Sequence, residues 1–282
     1  MTIYKAMTIA GSDSSGGAGM QADLKTFQEL GVYGMTALTC IVTMDPFNHW
    51  SHQVTTLDTE LLKKQLDTIV AGIGVDAMKT GMLGSPDIIK IASDIIEKYH
   101  LTRVVIDPVM VCKGAEEEIQ PELQPENTAA MLKLLIPKAL VTTPNLYEAA
   151  RLTGMPRITT IDQMKEAAQK IVALGARHAL VKGGSRLPDT DQAIDVLYDG
   201  KTFHIIADEF INTPNIHGAG CTYAAAVTAG LAKGLSVLEA VKVAKSFVTA
   251  GIRASFPLND YTGPTDHSAY KRELAAKQSR GN

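Results

Sequence analysis

The strongest constraint on the fold is an alternation of short apolar runs with longer amphipathic stretches, which continues along almost the whole chain. Short apolar runs are typical of buried strands, and apolar residues spaced three and four apart are typical of helices. Because such an order places parallel strands side by side with helices on their faces, it predicts an α/β fold with a mostly parallel, covered sheet. The 282 residues, 45% of them hydrophobic, are compatible with one large domain over residues 1–282.

The periodicity also predicts the individual elements. Strands are expected at residues 7–10, 36–43, 77–79, 103–107, 139–142 and 178–182. Helices are expected at residues 20–30, 59–69, 86–99, 127–135, 146–153, 161–174, 222–232 and 237–255. Residues 194–198 and 202–207, joined by Asp199-Gly200, predict a small hairpin as the one antiparallel element.

Two segments are expected to lack regular structure. Residues 113–127 contain three consecutive glutamates and two prolines, so they are predicted to form a lid loop that closes over a substrate. The polar residues 271–282 are predicted to form a frayed tail.

Composition excludes several classes of protein. A net charge of −3 gives no electrostatic footprint for nucleic acid. Cys40, Cys112 and Cys221 are far apart and form no CxxC pair, which argues against a disulfide framework or a zinc site. No apolar run approaches the length of a membrane span, and the first residues lack the apolar core of a signal peptide. We therefore expect a soluble, cytoplasmic protein with neither nucleic acid nor membrane as partner.

The most informative motif is HGAGCT at residues 217–222, which precedes a run of small residues. A glycine-rich loop that leads into a helix directs backbone N–H groups and the positive end of the helix dipole at one point. Residues 218–220 are therefore predicted to form an anion hole. The same position is expected to lower the pKa of Cys221 toward neutrality and to make it a base. The structural alternative is a tight turn followed by a buried cysteine.

A second glycine-rich loop, residues 11–19, follows the first predicted strand. It lacks the GxGxxG spacing of a dinucleotide loop, and no GxxxxGK string followed by Ser or Thr occurs in the chain. The loop is expected to wrap a small substrate, with a serine-capped hinge as the structural alternative.

Further polar groups follow the later predicted strands. Asp107 follows the fourth strand, Asn145 and Glu148 follow the fifth, and residues 182–184 (Lys-Gly-Gly) follow the sixth. Because ligands bind at the carboxyl ends of parallel strands, these groups are expected in one crevice. Two carboxylates suit a hydrated Mg²⁺, and a lysine followed by glycines suits a polyphosphate, so the chain offers the parts of a phosphoryl-transfer site. Helix capping by Asn145 and Glu148 and an ordinary surface lysine are the structural alternatives.

Together these motifs resemble those of the ribokinase superfamily, in particular its vitamin-kinase branch of hydroxymethylpyrimidine (phosphate) kinases and pyridoxine/pyridoxal kinases. The matching strings run in order over nearly the whole chain: GSDSSGGAGMQADLKTF (11–27), TGML (80–83), DPVMVCKG (107–114), TPNLYEAARLTG (143–154), VKGG (181–184) and HGAGCTYAAAVTAGLAKG (217–234). The resemblance implies a ribokinase-like three-layer α/β/α sandwich, a homodimer, and Mg²⁺-dependent transfer of the ATP γ-phosphate to a hydroxymethyl group on a pyridine or pyrimidine ring. It leaves a monovalent-cation requirement open.

The resemblance also implies a role for each matching residue. Cys221 corresponds to the catalytic base, and the anion hole corresponds to Gly218, Ala219 and Gly220. The vitamin pocket corresponds to Asp13, Ala18, Gly19, Met82, Val109 and His217. ATP-binding residues correspond to Asn145, Lys182, Gly183, Gly184 and Gly220, and the metal ligands correspond to Asp107 and Glu148.

Two residues depart from the pyrimidine kinases of this branch. Those kinases usually carry a glutamine that pairs with the aminopyrimidine edge, and alignment of residues 36–39 places Ile41 at that position. Cys112 replaces an alanine of the lid, and we hypothesise that its thiol adds reversibly to the aldehyde of pyridoxal. The structural alternative for Cys112 is a small-residue replacement. Ile41 and Cys112 are therefore expected at the substrate, and they favour the pyridoxal side of the branch over a hydroxymethylpyrimidine kinase or an enzyme with both activities.

Two functions of other classes stay open. A thiol hydrolase would use Cys221 and His217 as a dyad, although the sequence shows no evident Asn or Asp to orient the histidine. A noncatalytic ligand sensor is the second, because one fold hosts many functions.

Overall fold

The computed structural model describes residues 2–110, 125–184, 187 and 190–280 of the chain. Within this part, nine strands form one sheet in the order β3-β2-β1-β4-β5-β6-β7-β8-β9. The strands are β1 (Lys5–Asp13), β2 (Tyr33–Asp45), β3 (Ser51–Thr56), β4 (Ala77–Thr80), β5 (Val104–Ile106), β6 (Val141–Thr142), β7 (Ala179–Lys182), β8 (Gln192–Tyr198) and β9 (Phe203–Glu209). Strands β2, β1, β4, β5, β6 and β7 pair in parallel, which confirms the mostly parallel sheet.

The same described residues contain nine α-helices. They are α1 (Gly19–Glu29), α2 (Thr59–Leu66), α3 (Pro86–Lys98), α4 (Pro125–Leu134), α5 (Leu146–Thr153), α6 (Ile161–Ala173), α7 (Ala219–Ala232), α8 (Val237–Arg253) and α9 (Ala269–Arg280). A π-helical turn, Asp67–Ala71, continues α2, and a short 3₁₀ helix, Ile136–Lys138, precedes β6. None of the helices in the described ranges combines the length and apolarity needed to span a membrane.

Alternate strand residues enter two separate cores, one on each face of the sheet. Met78, Val104 and Ile106 belong to the core covered by α2 to α6, whereas Ala77 and Val105 belong to the core covered by α1, α7 and α8. This division follows from the two-residue repeat of a β-strand, which directs successive side chains to opposite faces. The three-layer α/β/α sandwich is therefore confirmed.

The sheet has more antiparallel pairing than expected. The predicted hairpin is present as β8-β9, but β3 also pairs antiparallel with β2, and β8 pairs antiparallel with β7. Strand β3 was not predicted. Four of its six residues are exposed because it lies at the edge of the sheet, so it lacks the apolar run that identifies a buried strand.

Two segments that were expected to lack regular structure, the tail and the end of the lid, are helical where the structure describes them. The tail expected to be frayed is helical as α9 up to Arg280, and its first turns are held by ring contact between Tyr270 and Phe247 and by an ion pair between Arg253 and Glu273. These contacts are made by side chains distant in sequence, so composition alone did not reveal them. The predicted lid lies outside the described residues except for residues 125–127, which begin α4.

Candidate active site

Two adjoining cavities lie at the carboxyl ends of the parallel strands. The first is lined by thirteen of the predicted site residues, namely Asp13, Ala18, Gly19, Met82, Asp107, Val109, Asn145, Glu148, Lys182, His217, Gly218, Gly220 and Cys221. The second is lined by Asn145, Lys182, Gly183, Gly184, Ala219 and Gly220 among others. Asn145, Lys182 and Gly220 line both, so the cavities meet at these three residues.

The loop before α7 places backbone N–H groups at this junction. Gly218 precedes the helix with φ +77°, and a Cβ at this position would collide with the carbonyl oxygen of Gly17, so only glycine fits. Gly220 and Cys221 follow in the first turn, where N–H groups have no acceptor within the helix. The N–H of Ala219 donates to the carbonyl of Ile216 at 3.2 Å, so contrary to prediction it is not free for an anion.

Cys221 lines the first cavity, but its thiol is not acidic. Burial raises its pKa most; the Lys79 ammonium and the Gly19 N–H lower it, the Asp23 and Asp107 carboxylates raise it, and the result is about 11. The prediction that the helix N-terminus lowers this pKa is therefore wrong for the protein without ligands, because desolvation and two nearby carboxylates outweigh the favourable groups.

A fully buried ion pair that the sequence analysis missed stands at this cavity. Lys79 Nζ lies 2.9 and 3.0 Å from the two carboxylate oxygens of Asp23, and the Thr8 hydroxyl donates to the same carboxylate at 2.6 Å. Burial lowers the pKa of Lys79, but the attraction of Asp23, Cys221 and Asp107 outweighs it and raises the pKa. The signal available in the sequence was a lysine within an otherwise apolar buried strand.

Asp13 and His217 also line the first cavity. His217 Nε2 lies 2.7 Å from Asp13 Oδ2, and the same carboxylate accepts hydrogen bonds from the N–H groups of Ser15 and Ala18, each at 2.8 Å. Burial raises the pKa of Asp13, but the hydrogen bonds from His217 and Ser15 outweigh it and lower the pKa to about 2. The carboxylate is therefore charged, and it fixes both the glycine-rich loop and the imidazole.

This arrangement bears on the thiol-hydrolase alternative. Asp13 does orient His217, which the sequence did not reveal because the two residues are 204 positions apart. However, the hydrogen bonds described for the structure include none between His217 and Cys221, and the imidazole nitrogen Nε2 is engaged by Asp13. A cysteine and histidine dyad needs that direct bond, so the geometry disfavours hydrolase chemistry.

The polar groups at the ends of β5, β6 and β7 meet as predicted. Lys182 Nζ lies 3.2 Å from Asp107 Oδ1, which also accepts a hydrogen bond from the Thr143 hydroxyl at 2.8 Å. Burial lowers the pKa of Lys182, but Asp107 and Glu148 outweigh it and raise the pKa. Asn145 and Glu148 also form a reciprocal capping box at the start of α5, so the structural alternative for these two residues is realised as well.

The donors at this junction fit a magnesium ion that is shared with substrate phosphates. The described residues contain no group of three or more His, Cys, Asp or Glu side chains that could hold a metal ion. Mg²⁺ is usually bound by one or two carboxylates together with phosphates and waters, and Asp107 and Glu148 line the same cavity. The two carboxylates therefore suit Mg²⁺ delivered with a nucleotide rather than a closed protein cage.

Of the two residues that depart from the pyrimidine kinases, Ile41 does not line the cavity. Pairing of β1 with β2 shifts from Ala10 opposite Leu38 to Ser12 opposite Ile41, so β2 carries one extra residue there. Val42 and Met44 line the cavity, whereas Ile41 alternates to the other face and is 37% exposed, so its predicted place in the pocket is wrong. Cys112 lies outside the described residues.

His52 is a further cavity residue that sequence reasoning missed. It lies on the edge strand β3, which brings it to the same cavity as Asp13 and His217. Burial lowers the pKa of His52, and the nearby His217 lowers it further. A neutral imidazole is therefore available beside the Asp13 and His217 pair, and no motif marked it in the sequence.

The three-layer fold is that of a ribokinase-like vitamin kinase. The chain belongs to the phosphomethylpyrimidine kinase family, whose model matches residues 13–266.

Characterised relatives cover nearly the full length of the chain. Pyridoxine kinase from Bacillus subtilis is 59% identical over 271 residues, which is 96% of this chain and 98% of that protein. Hydroxymethylpyrimidine/phosphomethylpyrimidine kinase from the same organism is 44% identical, over 96% of this chain and 97% of that protein. The structure of pyridoxal kinase from Staphylococcus aureus in complex with AMP-PCP and pyridoxal is 50% identical with a TM-score of 0.89, over 96% of each chain. The chain is accordingly a kinase.

Proposed function

We propose that this protein transfers the γ-phosphate of ATP to the hydroxymethyl group of pyridoxal, pyridoxine and pyridoxamine. The proposal depends on the two cavities that meet at Asn145, Lys182 and Gly220. The first contains the hydrogen-bonded pair Asp13 and His217, and the second contains glycines 183 and 184. Similarity to the pyridoxine kinase of Bacillus subtilis and to the pyridoxal and AMP-PCP complex from Staphylococcus aureus supports this choice of substrates.

In the proposed mechanism, the vitamin lies in the first cavity and ATP lies in the second. The γ-phosphoryl group lies at their junction, where Lys182 supplies a cation and the N–H groups of Gly220 and Cys221 supply donors. Asp107 and Glu148 would hold Mg²⁺, which neutralises phosphate charge when it is bound. The glycines 183 and 184 allow the polyphosphate to approach the backbone closely.

Cys221 is the proposed base. Its raised pKa means that the thiol carries a proton for most of the time, so the reaction must place only a small demand on the base. Transfer forms a bond from the hydroxymethyl oxygen to the γ-phosphorus, breaks the bond from that phosphorus to the bridging oxygen of ADP, and moves the hydroxyl proton to the Cys221 sulfur. A thiol with a pKa of about 11 is mostly protonated at pH 7, so the thiolate is a minor form. Because the transition state for phosphoryl transfer is loose, the proton leaves late and the demand on the base is small. Lys79 and the Gly19 N–H stabilise the thiolate that accepts it.

The vitamin pocket favours a pyridine over an aminopyrimidine. Among the described residues, β2 contributes only the apolar side chains of Val42 and Met44 to this cavity, so the amide that would pair with an aminopyrimidine edge is missing. Met82 and Val109 supply apolar contact for a ring, and Asp13 with His217 supplies polar groups at its edge. The preference for a pyridine, which the sequence indicated through Ile41, is therefore attributed to Val42.

The alternative activity is phosphorylation of 4-amino-5-hydroxymethyl-2-methylpyrimidine, alone or beside that of pyridoxal. It is favoured by the family model and by 44% identity to the hydroxymethylpyrimidine/phosphomethylpyrimidine kinase of Bacillus subtilis. The test offers the purified protein pyridoxal, pyridoxine and the pyrimidine side by side with Mg-ATP and follows ADP release and phosphorylated product. Preference for the pyrimidine would overturn the B6 assignment, and binding of a vitamin without ATP turnover would indicate a sensor.

We further propose that Cys112 acts on the aldehyde of pyridoxal. Addition of the thiol across the carbonyl forms a carbon–sulfur bond and moves the thiol proton to the oxygen, so the resulting hemithioacetal reverses without a redox partner. Replacement of Cys112 by alanine should lower the turnover of pyridoxal several-fold and leave that of pyridoxine unchanged. An equal loss for both vitamers would show that the thiol has no role specific to the aldehyde.

The assembly and location stay predictions. We propose a cytoplasmic homodimer, supported by the family resemblance and by three cysteines without a paired motif. Light scattering coupled to size exclusion would detect a mass of twice 30.2 kDa for the dimer. A monovalent-cation requirement is tested by exchange of K⁺ for a bulky organic cation in the same kinase assay.

A further inference from the structure

A short segment between α8 and α9, residues 263–267, packs against the loop that leads into α7. The N–H of His217 donates to the carbonyl of Gly263 at 3.0 Å, and the N–H of Thr265 donates to the carbonyl of His217 at 3.3 Å. The mechanism above gives this segment no part, although it holds the residue that precedes the anion hole.

The same segment also contacts the first turn of α7. Thr222 follows Cys221 directly, and its hydroxyl lies 3.0 Å from His267 Nε2 and 3.4 Å from the Thr265 hydroxyl. Thr222, Thr265 and His267 are all buried, with exposed fractions of 1%, 2% and 7%. The segment therefore holds both ends of residues 217–222, which contain the proposed anion hole and base.

The imidazole of His267 is neutral at pH 7. Burial lowers its pKa most, the Lys25 ammonium lowers it further, the Asp266 carboxylate opposes them, and the result is about 4. Burial of a polar ring is costly unless the ring is hydrogen-bonded, and the side-chain bond described for His267 is the one with Thr222. An apolar ring would fill this space without that cost, so the histidine indicates a role for its hydrogen bond.

The start of α7 needs support of this kind because it has no side-chain cap. Helices α2, α3, α5, α6 and α8 each begin with a side chain that accepts an N–H of the first turn. Helix α7 begins after Gly218, which has no side chain. A cap would occupy N–H groups that an anion hole needs, so the first turn must be held from outside. The bond between Thr222 and His267 does this without use of a backbone N–H.

We propose that His267 is a positioning residue for phosphoryl transfer, which acts through Thr222 to hold Gly220 and Cys221 against the transferred group. This inference rests on the proposed function, because it takes the first turn of α7 as the part of the site that meets the γ-phosphate. Neither Thr222 nor His267 is among the described residues that line the two cavities. The rate of the reaction therefore depends on a hydrogen bond that touches no substrate.

A double-mutant cycle on kcat tests the proposal. His267→Phe keeps a ring and removes Nε2, and Thr222→Val keeps the shape of the side chain and removes the hydroxyl. We expect each single variant to lower kcat about tenfold, the order of magnitude of one hydrogen bond. The double variant should also lose about tenfold rather than a hundredfold, because all three variants remove the same bond. The KM values for ATP and for the vitamin should stay within about twofold, since the positioned groups act in the transition state.

Three control variants separate this role from packing. His267→Gln places an amide near the position of Nε2 and should keep kcat within about threefold of the parent, whereas His267→Asn reaches only the position of Nδ1 and should resemble His267→Phe. Thr228→Val removes a second buried hydroxyl of α7, which donates to the Ala224 carbonyl within the helix at 2.8 Å. It should leave kcat unchanged. Urea unfolding of every variant establishes that folded protein is assayed.

The outcomes distinguish this inference from the proposed function. Losses of kcat that multiply to about a hundredfold in the double variant, or single variants that lose stability but keep the parental kcat, would show that His267 has only a structural role. Equal losses for His267→Gln and His267→Phe would assign the effect to ring packing and overturn the proposal. If His267→Phe does not fold, Thr222→Val decides alone, because it removes the same bond. A parent protein that phosphorylates neither a B6 vitamer nor the pyrimidine would overturn the proposed function and this inference with it.

Discussion

Replacement of Gly218 by alanine tests whether the backbone before α7 must hold its position. At φ +77° an alanine introduces about 1 kcal/mol of backbone strain. Its Cβ would also lie well over an ångström inside van der Waals contact with the carbonyl oxygen of Gly17. Both colliding groups are bound to backbone and cannot rotate away, so residues 16–18 and the first turn of α7 must separate by more than about 1 Å.

A displacement of about 1 Å at reacting groups lowers a rate on the order of 100-fold. We therefore expect Gly218→Ala to lower kcat about 100-fold in an ADP-release assay with pyridoxal, while circular dichroism shows a folded protein. Gly234→Ala is the matched control, because Gly234 has φ +85° at the other end of α7 and a Cβ there meets nothing within 4 Å. Gly234→Ala should lower the free energy of unfolding, measured with urea, by about 1 kcal/mol and leave kcat unchanged. Equal activity of the two variants would refute the argument.

Three more substitutions test the surroundings of the site. Asp13→Asn removes a carboxylate whose pKa is lowered to about 2. This lowered pKa corresponds to about 2 kcal/mol of folding stability, which is present above a pH of about 4 and is lost as the pH falls toward 2. The difference in urea unfolding between wild type and Asp13→Asn should therefore narrow over that range, and a constant difference would contradict the assignment. Val42→Gln should shift the ratio of kcat/KM toward the aminopyrimidine about tenfold, whereas Ile41→Gln should not, and the reverse result would restore the alignment made from sequence. Lys79→Met should lower the free energy of unfolding by about 3 kcal/mol because it leaves the Asp23 carboxyl buried without its cation, and the double variant Asp23→Asn/Lys79→Met should recover most of this; equal losses for both would count against the ion pair as the cause.

Much of the fold could be predicted because its signals are local. Helix α5 begins and ends where the periodicity placed it, since its capping residue Asn145 and its terminal Gly154 are both visible in the sequence. Central strands such as β5 were recognised because burial on both faces requires a continuous apolar run. The edge strand β3 and the helix α9 were missed because their positions depend on partners elsewhere in the chain.

The sequence by itself determined the fold class and the order of the ligand-binding loops, because glycine-rich turns and strand ends carry their own geometry. Only the tertiary structure decided the electrostatics. The thiol of Cys221 is held at a pKa of about 11 by burial and by carboxylates from other elements, and the bulge in β2 directs Val42 rather than Ile41 into the pocket. The pair Lys79 and Asp23 joins residues 56 positions apart, and Asp195 and Lys245 join residues 50 positions apart. Desolvation and charge pairing depend on which side chains meet in three dimensions, and no local pattern records those distances.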